Sequence, residues 1–310
     1  MARTATTRSY DVLGLGCTAV DDLLYVASYP EPDTKVRVRR RERQCGGLTA
    51  TALVAAARLG ARCAFAGVLG TDVGSVFVRD TLERAGVDTR HAVIRPEARP
   101  IHSTIIVDEG GRTRTVLFDL GGSSGADPDA PADEPIRASR VLFVDHYGVE
   151  GMTRAARIAR ANGVAVVADF ERHEYPGFDQ LLELVDHLIV ARDFAARLTG
   201  ENDPATAARK LWSGRRDTVV VTAGDQGSWY VSADRVAPVH QTAFVVPVVD
   251  TTGCGDVFHG AYAAALARGL PVAERLRFAS AAAALKATRT GAQAGIPDRR
   301  AVEAFLASCV

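Results

Sequence analysis

The sequence predicts an α/β protein in which a mainly parallel central sheet carries helices on both faces, a three-layer α/β/α sandwich. Between residues 141 and 190, short apolar runs (141–144, 164–168, 188–190) alternate with helical stretches (152–161, 181–184). That period is the one expected of strand–helix–strand units with right-handed crossovers. The 310 residues, 47% hydrophobic and 24% charged, suffice for one large core with a small appendage, so a single domain over 10–308 is expected. In such sheets ligands bind at the carboxyl ends of the strands.

Composition narrows the function classes. There are 37 basic and 37 acidic residues, a formal net charge of zero, so no overall field favours nucleic acid or an anionic membrane, and neither is expected as a partner. Residues 1–9 are polar and lack an apolar segment; the expectation is a frayed leader on a cytoplasmic protein. Five cysteines, Cys17, Cys45, Cys63, Cys254 and Cys309, contain no C-x-x-C pair, which speaks against a disulfide framework or a zinc site.

Taken in order, Tyr10–Leu15 reads as the first strand. The following Gly14-Leu15-Gly16-Cys17-Thr18-Ala19 imitates a dinucleotide fingerprint, but residues 20–26 are strand-like and Pro30 and Pro32 follow, where that fingerprint needs a helix. Over 35–44, Val36 and Val38 alternate with Arg37, Arg39 and Arg41, a strand with one wet basic face. Gly46-Gly47 opens an apolar helix stopped by Gly60, then a strand at 63–68 and a helix at 73–85. Residues 101–107 and 113–118 form a hairpin, and 123–135 is a Gly/Pro-rich loop. Asp145, His146, Asp169 and Glu171 fall at strand ends, which makes them pocket candidates; His146 reads equally as a satisfied loop histidine. A β-branched strand at 218–222 precedes the turn Ala223-Gly224-Asp225-Gln226-Gly227. No G-x-x-x-x-G-K-[ST] occurs, which disfavours P-loop chemistry.

Residues 244–249, nearly all β-branched or aromatic, read as a buried strand, and 262–267 as a strong helix. Between them lies Asp250-Thr251-Thr252-Gly253-Cys254-Gly255-Asp256-Val257-Phe258-His259-Gly260-Ala261, a helix N-terminus. Glycines flanking Cys254 allow close backbone approach, and free first-turn amides with the positive end of the helix dipole favour an anion. Asp256 adds a carboxylate beside that anion site, as a general base for phosphoryl transfer would. Taken alone, Gly-x-Gly-Asp also reads as a tight turn into a helix with an acidic first turn.

The whole string resembles the C-terminal signature of the ribokinase or PfkB family of carbohydrate kinases, usually D-T-T-G-A-G-D, with Cys254 in the alanine's place. The resemblance runs in order from Gly16 to the last helix and implies a ribokinase-like fold with a small β-sheet lid at about 23–45 and 101–118. It implies an ATP-dependent kinase with Asp256 as catalytic base and the amides of Gly253, Cys254 and Gly255 as the anion hole. Asp21, five residues after Gly16, would bond sugar hydroxyls, and Gly46 and Gly47 would admit the sugar to the backbone. Thr51 stands where many members carry a sugar-binding asparagine; Lys35 would lie at the lid's edge, and His102, Arg112 and Arg114 could face substrate.

For the nucleotide, the resemblance implicates Thr222, Gly224 and Gly227 near phosphates and ribose, and Ala282 and Ala283 against adenine. The glycine loop 289–297 could supply carbonyls for a monovalent cation such as K+ beside Asp250 and Thr252. The family's magnesium-placing N-x-x-E is broken: its places are Ala191 and Phe194, with Asp193 the nearest carboxylate. Mg2+ would then be held mainly by ATP phosphates and water. A homodimer through the lid is implied by analogy. The phrases D-V-F-H-G-A and A-G-I-P-D are most similar to fructokinase-like and sulfofructose kinase members, which makes a ketose or ketose derivative the expected acceptor. Leu117 and Tyr147, however, stand where sulfonate-binding residues are expected, although Lys35 is retained. Alternatives are a nucleoside or other hydroxyl substrate, or a nucleotide-binding regulator that has lost catalysis.

Overall fold

The computed structural model describes residues 8–309 except Arg112 and Ser123, so the expectation for Arg112 lies outside the described residues. The first half contains β1 (Tyr10–Leu15), β2 (Ala19–Val26), β3 (Arg40–Gly46), α1 (Leu48–Arg58), β4 (Cys63–Phe65), β5 (Val68–Leu69), α2 (Val73–Arg84), β6 (Val87–Asp88), β7 (Val93–Ile94), β8 (Ile101–Asp108) and β9 (Thr113–Asp119). Then come α3 (Asp133–Arg137), β10 (Ser139–Val144), α4 (Val149–Ala161), β11 (Ala165–Asp169), α5 (Phe178–Leu182), β12 (His187–Ala191), α6 (Arg192–Thr199) and α7 (Pro204–Leu211). The chain ends with β13 (Thr218–Thr222), β14 (Ser228–Ser232), β15 (Arg235–Gln241), α8 (Cys254–Ala267), α9 (Val272–Ala287) and α10 (Arg299–Ser308).

The large sheet has nine strands in the order β15-β14-β13-β12-β11-β10-β1-β4-β6. Only β14 runs against the rest, antiparallel to β13 on one side and to the edge strand β15 on the other. Because strand side chains alternate between faces, neighbours in sequence enter opposite cores: Val12, Val141, Phe143 and Val220 pack with α1, α2, α8, α9 and α10. Leu13, Leu142, Val144 and Val219 pack with α3 to α7 on the other side. This is the expected three-layer arrangement, with the expected small sheet beside it: four strands in the order β3-β2-β8-β9, β2 and β8 parallel, the outer pairs antiparallel. No helix among the described residues is long and apolar enough to cross a membrane.

Two expectations fail. Residues 244–249 form no strand: Val245 is fully exposed and Val248 and Val249 largely so. The segment leaves the sheet at β15 and crosses to α8 as one wall of a cavity, with Phe244 also packed on Phe305 of α10. The basic stretch begins its strand only at Arg40; Lys35 lies on an exposed irregular segment.

Helix α8 crosses α1 at Gly260, where an added Cβ would stand 2.1 Å from the Ala52 carbonyl oxygen and 2.9 Å from the Ala55 Cβ. Backbone cannot yield there as a flexible side chain could. Gly260→Ala should therefore lower unfolding free energy by about 1–3 kcal/mol in chemical denaturation. Gly214→Ala, which meets nothing within 4 Å, should stay within about 0.5 kcal/mol of wild type.

Candidate active site

The first turn of α8 sits at the carboxyl ends of the parallel strands. Gly253 caps it in a left-handed conformation, φ 75°, closed to most side chains; a Cβ there would also lie 3.1 Å from that of Ala292. The Cys254 amide donates to the Thr251 carbonyl at 3.2 Å, so of the three amides expected to form the anion hole it is already engaged. Those of Gly253 and Gly255 have no acceptor among the described residues.

Asp256, in the same turn, faces a group of acids. Burial pushes its pKa well above the ordinary carboxylate value, and the charges of Asp169, Glu171, Asp21 and Asp145 push it further. Asp169, at the end of β11, is itself raised to about 7, mainly by burial, against the opposing charge of His259. The His259 ring is buried with acceptors on both sides: Nδ1 lies 2.8 Å from the Gly255 carbonyl oxygen and 3.3 Å from an Asp169 oxygen, and Nε2 3.0 Å from the Ile189 carbonyl oxygen. It thereby ties the first turn of α8 to β11 and β12. Asp145, raised to about 6 by burial, accepts from the Cys17 amide at 2.7 Å, the Thr49 hydroxyl at 2.8 Å and the Tyr147 amide at 2.8 Å. Its carboxylate clamps β1, α1 and β10 together. His146 is buried beside it, stacked with Tyr175, and burial lowers its pKa to about 4.

Asp21 projects from β2 toward this group. It is paired across the small sheet with Gln44 and Ser103, and an added Cβ on Gly46 would stand 2.1 Å from its carboxylate. At Gly47, φ 93°, a Cβ would meet the Thr18 backbone at 2.6 Å. Gly47 is thus required by the backbone alone, whereas Gly46 leaves room for the Asp21 carboxylate. His102 does not join Asp21. One residue along β2, Asp22 points to the opposite face, where it binds both His102 Nε2 at 2.9 Å and the Arg43 guanidinium at 2.8 Å, which holds its pKa down at about 2. Strand alternation therefore takes His102 to the outer face. Thr51 is buried in α1, 1% exposed, its hydroxyl accepting from the Gln293 amide at 3.4 Å, so it is withdrawn from the open part of the site. Lys35 makes no hydrogen bond among the described residues. Tyr147 is half-buried against His146, and Leu117 is exposed on β9.

On the other side of α8's first turn lies a cavity of about 500 Å³. Thr222, Gly224 and Gly227 line it, together with Cys254 and Gly255. From α9 come Ser280, Ala283, Ala284 and Ala287, one face at i, i+3, i+4 and i+7. Ala282, one helical step away, is buried in the core instead; of the two alanines expected against adenine only Ala283 reaches the cavity. Phe244, Val246 and Val248 supply the opposite apolar wall.

At the start of α6 the broken metal motif stays broken. Phe194 is buried among aromatic rings and the Asp193 side chain is 83% exposed, 3.6 Å from Arg192. These residues do not fit a magnesium site, and no group of three or more acidic, His or Cys residues fit to hold a metal occurs among the described residues. Asp250 is more heavily engaged: its carboxylate accepts from the Thr252 and Gly291 amides, each at 2.8 Å. The Lys286 ammonium, wholly buried, donates to the Asp250 carbonyl at 2.8 Å. Sequence reasoning missed Lys286 and His259. The signal was present, since Lys286 falls on the stripe of Ala279 and Ala282, both buried, where periodicity places a side chain inward.

The profile of the pfkB family of carbohydrate kinases matches residues 14–299. A ribokinase from Haemophilus influenzae is 30% identical over 94% of this chain and 97% of its own length, and a nucleoside kinase from Methanothermobacter thermautotrophicus 25% over 96% of each. The crystal structure of a ribokinase from Thermotoga maritima superposes with a TM-score of 0.84 at 27% identity, covering 96% of this chain and 99% of that one. With two unengaged amides, a half-buried carboxylate and a cavity of about 500 Å³ at one helix N-terminus, and a match over nearly its whole length, the chain belongs to the pfkB family of carbohydrate kinases, phosphotransferases with an alcohol group as acceptor.

Proposed function

We propose that this kinase transfers the γ-phosphoryl of ATP to a hydroxyl of a ketose or ketose derivative, with Asp256 as the general base. The observation that carries the reading is the position of Asp256, in the same helical turn whose Cys254 and Gly255 line the nucleotide cavity and within electrostatic reach of Asp21 on the small sheet. A sugar held by Asp21 and the Gly46-Gly47 backbone would present a hydroxyl to Asp256, which takes its proton as the oxygen attacks the γ-phosphorus in line and ADP leaves. The Gly253 and Gly255 amides and the positive end of α8 stabilise the charge on the transferring phosphoryl.

ATP, with Mg2+ as the counter-ion of its phosphates, is the cofactor set this reading takes; the ion would neutralise phosphate charge there. The small sheet acts as the lid, and its edge strand β9, exposing Val116, Leu117 and Phe118, favours a homodimer through it. A cytoplasmic location goes with these substrates. Ribose is the second reading, favoured by the names of relatives such as the Haemophilus influenzae enzyme. The withdrawal of Thr51, at the place of a sugar-binding asparagine, tells against it.

ADP release from Mg·ATP over a panel of ketoses, ribose, sulfosugars, sugar phosphates and nucleosides should give its highest kcat/KM with a ketose or ketose derivative. A nucleoside at the top of the panel, or no turnover with any acceptor, would overturn the reading. A base acts deprotonated, so a raised pKa means that activity is lost as pH falls through a value above the ordinary carboxylate pKa of about 4. The acid limb of the kcat/KM profile should accordingly lie above that value. Asp169→Asn, by deleting the neighbouring charge that raises Asp256 most, should move the limb to lower pH; an unmoved limb would remove Asp169 from the account.

A further inference from the structure

Asp250 is the residue beside which a monovalent cation is expected from the sequence, and each of its oxygens already accepts a bond from the protein. Oδ1 accepts from the Thr252 amide and Oδ2 from the Gly291 amide. The main-chain oxygen accepts from Lys286 Nζ at 2.8 Å, and the same ammonium stands 3.9 Å from Oδ2. The Lys286 side chain is 0% exposed, and lysine is almost never buried to that degree without a partner. Its stem runs along α9 on the inward stripe with Ala279 and Ala282, residues small enough to leave it a channel. Burial lowers its pKa, and Asp250, Asp256 and Cys254 oppose that loss of charge, whereas Arg114 adds to it.

An ammonium has the charge of a potassium ion and three donors that seek the same carbonyl and carboxylate oxygens. A potassium ion beside Asp250 would need those oxygens, and would have to sit against the like charge of a buried ammonium at a carboxylate only 23% exposed. The residues present therefore do not fit the ion. They do fit what it would be needed for. Lys286 joins the end of α9 to Asp250, and Asp250 joins Thr252, one residue before Gly253, to Gly291, next to the Ala292 that packs on Gly253.

We propose that the Lys286 ammonium is this kinase's built-in monovalent cation, holding the loop of the anion site in place so that the enzyme takes no K+ there and works independently of it. Lys286 is a positioning residue, acting through Asp250, and its role rests on the kinase reading above. The test compares KCl with tetramethylammonium chloride at equal ionic strength, with two readouts, ATP turnover and thermal melting. Wild type should show the same turnover and the same melting temperature in both salts. Lys286→Ala should lose turnover in tetramethylammonium by about 10²-fold, the scale on which one charge-stabilising group is lost. KCl should restore part of that activity and raise the variant's melting temperature, which a merely structural lysine would not allow.

Potassium activation of wild type, or a potassium-specific rise in its melting temperature, would overturn the proposal, as would a folded Lys286→Ala indifferent to the salt. If Lys286→Ala does not fold, the two wild-type readouts decide by themselves. No turnover with any acceptor in either salt would count against the kinase reading, and melting would still decide the cation question.

Discussion

The site is organised around negative charge that its own neighbours resist. In the proposed mechanism Asp256 sits where a phosphoryl group would be held, among Asp169, Glu171, Asp21 and Asp145, and burial together with those charges raises its pKa. The fold holds the arrangement because each acid is anchored by something other than its purpose. Asp145 is bound by three donors, Asp169 lies against His259, and Asp256 rides on a helix whose positive end faces the same space. A base poised in this way takes a proton more readily than an isolated surface aspartate, which is the property the proposed chemistry asks of it.

Around that centre the two substrate sides are built by different means. The nucleotide side is mostly absence: alanines at helical spacing on α9 and glycines at 224 and 227 leave a slot, and the apolar segment after β15 closes it. The side proposed for the acceptor is mostly polar and crowded, with a glycine at 47 that backbone packing demands and one at 46 that makes room for the Asp21 carboxylate. Lys286 and Asp250 brace the seam between them. In that brace the buried ammonium is compensated by the carbonyl and carboxylate of Asp250.

Much of this was legible in the sequence. The layer architecture followed from alternating strand and helix periods, and the D-T-T-G-C-G-D string located the helix N-terminus and its carboxylate. What escaped depended on direction. His102 and Asp21 are close in the small sheet, yet pleat alternation puts His102 with Asp22 on the other face. Ala282 and Ala283 are neighbours separated by one helical step, and only one meets the cavity. Residues 244–249 have strand composition because a ligand wall and a buried strand demand the same side chains. Thr51 was withdrawn by a partner, Gln293, 242 positions away in sequence, which no local pattern encodes.

The most direct test of the account is Asp256→Asn, which keeps the shape of the first turn of α8 and removes the base. Turnover with the best acceptor of the panel should fall by about 10²- to 10⁴-fold, the range for loss of a positioned general base, while ATP affinity by calorimetry stays close to wild type. Turnover near the wild-type rate in that variant would contradict the assignment of Asp256 and the mechanism built on it.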